Sequence, residues 1–452
     1  MKKGLFFALA ASSLLLGACS SDDAVVNTVG QNEAVQQIVL QVASSGDGLT
    51  TRAGRPLYSS QALQTIQNVR VVIYNADTKE IVKDATQDWT KSTTYNNHGH
   101  GRQFTLTFKG DDRLEKGSYK VMAVGYSDNS DYNYSLDVTS DAALAGTYSD
   151  ITATLKAGKK DAEEVFAGDA ALTIGDDKKI TNLTEGEENG VAVTLHRQVA
   201  GSFGYFQNIP ASVNGKIAKT LRLVVRDKND MLTFNNFNSS FTANGATGST
   251  VKYYVNGSKS AAAPTSDAQF KDGGEGYVLY SIDLSKWFTN GDVNKDGLLN
   301  AEDTWQRPGD VKTQVVKGSV FGSNFVIPFA LTHDKSTMEL QLLDAGGKII
   351  KFWTVSIPKA DVNNDAQNGN VADESASIFN VVRNHMYNLG VKTSTGTTTT
   401  PDPSNPTPEP NPDPTPDPKP GIDEPEDLSK SQNLILKVND NWEFIHKMEL
   451  GD

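Results

Sequence analysis

Short apolar runs with a two-residue period, closed off by Gly and Asx turns, recur through this chain and leave room for little besides β structure. Val69–Tyr74, Phe104–Phe108, Tyr119–Tyr126, Ile151–Leu155, Val191–Leu195, Leu221–Val225, Tyr277–Leu284, Met338–Leu343 and Ile349–Val355 are examples. Helical periodicity is scarce. Many short strands between turn signals predict an all-β chain packed as β-sandwiches. About 340 residues of such sequence exceed one sandwich, so a boundary is placed near Thr194–Val199. The first sandwich is expected over 53–193 and the second over 194–393.

The two ends of the chain resemble each other. Gln37-Ile38-Val39-Leu40-Gln41-Val42 stands near the start, and Asn433-Leu434-Ile435-Leu436-Lys437-Val438 near the end. Position by position both read polar, aliphatic, aliphatic, Leu, polar, Val. Each predicts a strand that turns Ile38, Leu40 and Val42, or Leu434, Leu436 and Val438, to one face. After the Asn439-Asp440-Asn441 turn a second strand follows, with Trp442 and Phe444 on one face and Glu443 on the other. This tail, residues 429–452, lies beyond a linker over 394–428 that holds 11 of the 17 prolines. It is therefore expected to lie outside the second core. A tethered strand, apolar on one face and without local partners, is suited to the edge of another sheet.

The linker also explains the charge. Residues 401–427 carry eight acids and one lysine, a net of −7 within the −13 of the whole chain. The remainder is nearly neutral and offers no basic cluster for a nucleic acid. Proline at nearly alternate positions favours an extended polyproline arm, roughly 80 Å long at ~3.1 Å per residue. A tether with no defined path is the other reading.

Met1-Lys2-Lys3 is a short basic stretch, and Leu5 to Leu16 is an apolar run too short to span a bilayer. Residues 1–18 thus read as an export signal. Leu16-Gly17-Ala18-Cys19 closes it and contains the one cysteine, so no disulfide is available. Further on, Thr50-Thr51-Arg52-Ala53-Gly54-Arg55 follows a Gly/Ser/Thr-rich stretch of the kind where proteolysis concentrates. A cut after Arg52 or Arg55 would detach residues 19–52, including the first strand, and leave the sheet one strand short. The tail of a second copy has the pattern to fill that slot. Five to eight apolar side chains at ~1.5–3 kcal/mol each give a gross gain on the order of 10–20 kcal/mol, before ordering costs. A head-to-tail contact that does not close builds a filament.

Several motifs point the same way. Leu16-Gly17-Ala18-Cys19 resembles the lipobox of bacterial lipoproteins, and Ser20-Ser21-Asp22-Asp23 resembles the surface-export signal of Bacteroidetes lipoproteins. An ordinary signal peptide with a chance Cys is the alternative. Together with Thr51-Arg52-Ala53-Gly54, Leu195-His196-Arg197-Gln198-Val199-Ala200, Val381-Val382-Arg383-Asn384-His385-Met386-Tyr387 and the Pro401–Pro406 linker running to the Trp442 tail, the chain resembles the stalk fimbrillins of Bacteroidales type V pili. The resemblance implies two transthyretin-like β-sandwich domains plus C-terminal donor strands. It implies a transient lipid (palmitate) on Cys19 at the outer membrane and cleavage by an Arg-specific protease. It also implies polymerisation with other copies and related subunits into an adhesive surface fimbrium. A non-polymerising tip or anchor subunit of the same kind, or a lipid-anchored surface protein that binds glycans, is the rival reading.

Asp292 to Asp303 has the spacing of an EF-hand loop. Asp292, Asn294 and Asp296 occupy positions 1, 3 and 5. Gly297 is at the turn position, Leu298 offers a carbonyl, and Asn300 and Asp303 complete the set. A structural calcium site is expected here, with a plain Asx/Gly turn as the alternative. Pro308 is too close for a paired sensor hand. Asp361-Val362-Asn363-Asn364-Asp365 begins alike but has Ala366 where glycine is needed. No nucleophile elbow, HExxH zinc motif or phosphate loop is present, so no enzymatic activity is expected. His98-Gly99-His100 reads as a loop.

Overall fold

The computed structural model describes residues 35–42, 66–95, 101–135, 151–184, 187, 189–226, 228–234, 257–258, 266–311, 315–329, 338–356, 381, 386–390, 424–430, 433–435 and 437–439. Cys19, Arg52, Arg55, Leu436, Trp442, Phe444, linker residues 394–423, the Asp361–Glu374 stretch and the His98/His100 pair lie outside these residues.

The first half provides β1 (Gln36–Val42), β2 (Asn68–Asn75), β3 (Ile81–Asp88), β4 (Thr93–Tyr95), β5 (Gly101–Phe108), β6 (Gly117–Tyr126), β7 (Tyr132–Ser135), β8 (Thr152–Leu155), β9 (Phe166–Ile174) and β10 (Gly190–Arg197). Eight of them form one sheet in the order β3-β2-β6-β9-β10-β1-β5-β4. The β9–β10 pairing is short, only His196 with Ala167 and Arg197 with Phe166. There the sheet folds over on itself. Ile38, Leu40, Val191, Val193 and Leu195 from one wing thus share a core with Val69, Val71, Ile73, Val121 and Ala123 from the other.

The second half provides β11 (Ala200–Gln207), β12 (Ile209–Pro210), β13 (Ser212–Val213), β14 (Lys216–Ile217), β15 (Thr220–Val225), β16 (Met231–Thr233), β17 (Gly257–Ser258), β18 (Ala268–Gln269), β19 (Glu275–Asp283), β20 (Leu298–Leu299), β21 (Ser319–Val326), β22 (Met338–Leu343), β23 (Ile349–Ser356) and β24 (Met386–Leu389). The tail provides β25 (Glu426–Asp427), β26 (Asn433–Ile435) and β27 (Lys437–Asn439). A sheet ordered β21-β11-β24-β27 faces one ordered β18-β19-β15-β22-β23-β26. Phe203, Tyr205, Leu221, Leu223, Leu340 and Trp353 fill the space between them. All nine sequence-predicted runs contain strands. Helix is limited, among the described residues, to two short 3-10 turns and α1 (Leu284–Trp287). None of the described helices is long and apolar enough to cross a membrane.

A third sheet, ordered β17-β16-β8-β7, takes two strands from each half. Leu232 and Phe234 pack with Val72, Tyr74, Met122 and Val124 on the outer face of the first sandwich. This explains why β2 and β6 read as near-continuous apolar runs, since strands buried on both faces lose the polar alternation. Asn229 Nδ2 donates to the Pro328 carbonyl at 2.7 Å, and Asn324 Nδ2 of β21 donates to Asp161 of the preceding half at 2.7 Å.

Two expectations need correction. A boundary between 193 and 194 would cut β10, which runs on as a first-sheet strand to Arg197. The change of sheet comes at Gln198–Val199, at the far end of the Thr194–Val199 window expected from sequence. Arg197 is tolerated inside because Glu164 accepts from its Nε at 2.9 Å and its Nη2 at 2.6 Å, and its guanidinium lies over the Phe166 ring. The second correction concerns the tail. Expected to lack local partners, it pairs with the second sandwich of its own chain. β26 lies parallel to β23, β27 antiparallel to β24, and Leu434 is buried in the second core. The free edges of β23 and β24 supply backbone partners that a pattern along the sequence does not reveal.

Candidate functional site

β1 is an interior strand built from a segment far from its neighbours in sequence. It runs parallel to β10, with Ile38 opposite Val191 and Leu40 opposite Val193. On its other side it is antiparallel to β5, with Ile38 opposite Leu106 and Leu40 opposite Phe104. Ile38, Val39 and Leu40 are 1%, 3% and 0% exposed. Alternation alone assigns Ile38, Leu40 and Val42 to the core. The structure also buries Val39 on the opposite face, and Val42 pairs with Leu195 and Arg102 at the strand end. Taking β1 away would open a slot between β10 and β5 whose backbone donors and acceptors need a new strand.

The start of β1 is held by a residue that the sequence reading passed over. Gln36 is 1% exposed. Its Nε2 donates to the Leu114 carbonyl at 2.9 Å and to the Lys178 carbonyl at 2.9 Å, while its Oε1 accepts from the Leu114 amide at 2.8 Å. The Gln37 amide adds a bond to the Asn189 carbonyl at 3.0 Å. A polar residue flanking an apolar strand gives no signal of this kind from pattern alone.

The tail segment enters the second sandwich in three short steps. β25 runs parallel to the end of β11, with Phe206 opposite Glu426 and Gln207 opposite Asp427. The Leu428 amide donates to the Gln207 carbonyl at 3.1 Å, and the Leu428 side chain is fully buried. Burial opposes ionisation of Asp427, but hydrogen bonds from Ser429, Lys430 and Asn208 outweigh it and bring its pKa to about 2. Asn433, Leu434 and Ile435 then sit opposite Thr354, Val355 and Ser356. Val438 pairs with Tyr387 on the other sheet.

The loop from Asp292 to Asp303 is folded around its own polar groups. Gly297 has φ +88° and Lys295 φ +59°, the left-handed conformations that the tight turn requires. Asp292 Oδ2 accepts from the Gly297 amide at 2.9 Å, Asn294 Oδ1 from Asp296 at 3.1 Å, and Asp296 Oδ1 from Leu298 at 2.8 Å. The Leu298 amide is the foremost cause of the lowered pKa of Asp296. Asn300 Nδ2 donates to Asp296 Oδ2 at 2.7 Å. Asp303, 6% exposed, accepts from the Val293 amide at 2.8 Å and the Asn300 amide at 2.9 Å. β20 pairs Leu299 with Ile209, and the Ala211 amide donates to the Gly297 carbonyl at 2.9 Å.

Among the described residues no group of three or more His, Cys, Asp or Glu side chains is arranged to hold a metal. The set at 292–303 combines the carboxylates of Asp292, Asp296 and Asp303 with two asparagines and the Leu298 carbonyl. One oxygen suits a cation: Asp292 Oδ1 is buried and has no hydrogen-bond partner. An uncompensated buried carboxylate oxygen is costly, and a hard cation with oxygen ligands would compensate it.

No family model matches the sequence, and no curated protein matches it. Solved structures with similar arrangements include a fimbrial assembly protein from Parabacteroides distasonis, 15% identical with TM-score 0.32, covering 80% of this chain and 93% of that one. The tip fimbrial protein Mfa3 from Porphyromonas gingivalis, with a C-terminal truncation, is 8% identical with TM-score 0.30, covering 79% of this chain and 95% of that one.

Proposed function

We propose that this chain is a structural subunit of an adhesive surface filament, assembled when β1 is cut away and the tail of a second copy takes its place. The observation that carries the reading is the slot itself. An interior strand, separated by an Arg-containing stretch from the rest of its sandwich, has a sequence pattern that reappears in the tail. The tail pairs with β23 and β24 of its own chain, so exchange requires its release from those edges. Cys19 serves as a transient lipid attachment, and cleavage after Arg52 or Arg55 removes lipid and strand together. The donor face is formed by Leu434, Leu436 and Val438, followed by Trp442 and Phe444.

The reading is tested on surface material sheared from cells. A mature N-terminus at Ala53 or Pro56, with ladders in mild SDS that vanish when Leu428–Asp452 is deleted, is the expected result. Mature surface protein still joined to lipid through Cys19, migrating as a monomer, would overturn it.

The loop at 292–303 is proposed to hold one calcium ion, with oxygens from Asp292, Asn294, Asp296, Leu298, Asn300 and Asp303. The ion would neutralise the Asp292 oxygen and tie the loop to Ile209–Ala211. Calorimetric titration of the full chain with calcium tests this. Heat that is lost in Asp292→Ala supports the site, and no heat at millimolar calcium refutes it.

A further inference from the structure

We infer that Gln432 of the incoming tail is the register anchor of the exchanged strand, taking over the buried cradle that Gln36 occupies in the uncut chain. The inference rests on the strand-exchange reading above and adds the residue that decides how the strand fits.

Extending the likeness of the two ends by one residue toward the N-terminus supplies the first premise. Gln36–Val42 reads Gln-Gln-Ile-Val-Leu-Gln-Val, and Gln432–Val438 reads Gln-Asn-Leu-Ile-Leu-Lys-Val. The leading glutamine is identical and stands two residues before the first core aliphatic in both. The second premise is the cradle. The Leu114 amide, the Leu114 carbonyl and the Lys178 carbonyl converge on the Gln36 carboxamide, which is 1% exposed. Loss of residues 19–52 leaves all three without that partner. Glutamine has both a donor and an acceptor at this reach. Asparagine is one carbon shorter, and an ionised glutamate cannot donate to the two carbonyls.

The third premise is geometric. A strand that slips by two residues keeps the same side chains on the same face, so alternation cannot distinguish the correct register from that slip. The glutamine can, because only one register delivers it to Leu114 and Lys178. With Gln432 seated there, the tail takes the register of β1, in which Gln37, Leu40 and Gln41 face Thr107, Phe104 and Gln103. Asn433 then faces Thr107, Leu436 faces Phe104 and Lys437 faces Gln103.

Cysteine pairs read this register directly. Protein cut after Arg52 has lost Cys19, the native cysteine, so introduced cysteines report without background. Lys437→Cys is combined with either Gln103→Cys or Thr105→Cys, and intermolecular disulfides are scored in the full assembled chain. Directly opposed residues lie within disulfide reach, whereas a two-residue offset does not. With Gln432 intact, the 437–103 pair should dominate. Gln432→Ala and Gln432→Glu should shift product toward the 437–105 pair, and their ladders should be lost on the order of 10- to 100-fold faster in mild SDS, as expected for several buried hydrogen bonds. Ser431→Ala serves as the control that changes neither. An unchanged 103-to-105 ratio with wild-type ladder lifetimes in both Gln432 variants overturns the anchor while leaving strand exchange standing. Failure of the wild-type cut protein to form any ladder overturns the exchange reading, and the anchor with it.

Discussion

Leu40→Ala and Leu436→Ala should exchange their effects when the chain is cut. In the uncut chain Leu40 is 0% exposed and belongs to the core of the first sandwich. Truncating a fully buried leucine costs about 2–5 kcal/mol, transfer and cavity terms together. At a urea slope of about 2 kcal/mol/M, that lowers the unfolding midpoint by roughly 1–2.5 M. Trp89 is a convenient reporter, since it is 3% exposed in the same core. It is the only tryptophan between residues 53 and 193. In the uncut chain, Leu436→Ala should leave the Trp89 transition in place. On the strand-exchange proposal, the roles reverse after cutting and assembly. Leu40 has left with the propeptide, so its substitution should not change filament stability in SDS. Leu436 of the neighbour now fills the position, and its truncation should weaken the filament by a similar 2–5 kcal/mol per junction. If Leu40→Ala still weakens washed filament made from cut protein, the old strand has remained in its slot and the exchange reasoning fails. A stability loss below about 1 kcal/mol in the uncut protein would instead refute the burial assigned to Leu40.

Other consequences can be checked in the same preparations. At 1 mM calcium, a site of ~10⁻⁴ M affinity should add roughly 1–2 kcal/mol, seen as a rise of a few degrees in melting temperature that Asp296→Ala abolishes. The pKa of Asp427 is lowered to about 2 in the folded chain. A depressed carboxylate contributes stability that is complete above its unfolded value of ~3.9 and is lost as pH falls through the folded one. Docking of β25, followed by amide exchange at Leu428, should therefore hold down to about pH 4 and weaken from there toward pH 2, with Asp427→Asn removing that dependence. Gly204→Ala should destabilise the second sandwich by about 1–3 kcal/mol in thermal unfolding, because the added methyl runs into the Phe206 ring and the Tyr280 hydroxyl.

The sequence was most legible where side-chain chemistry and backbone demand agree. β2, β6 and β15 are dense in aliphatics because both of their faces are largely covered, and their runs stand out. β11, Ala-Gly-Ser-Phe-Gly-Tyr-Phe-Gln, carries the same burden with Gly204 where the Phe206 ring presses against the backbone, and glycine imitates a turn. The alternation of β1 revealed its core face at Ile38 and Leu40, whereas Val39 on the other face needed the tertiary structure. Gln36 was invisible for a different reason. Its partners are carbonyls and an amide, 78 and 142 residues away, that any sequence would possess. The tail was misjudged because a strand edge is a property of the assembled sheet. The loop at 292–303 was recognisable from spacing, since its turns are made by the residues within it.

The third sheet bears on how the chain is made. All strands of the first sandwich have been synthesised by Arg197, yet Val72, Tyr74, Met122 and Val124 are covered by Leu232 and Phe234, which come up to 37 residues later. Tyr132, Ile151 and Ala153 cover part of that face from the first half, so at ~5–20 residues per second the growing chain leaves it incompletely covered for roughly 2–7 s. Export before folding would spare the cytosol that intermediate, and a holding chaperone would find its binding surface on β2 and β6.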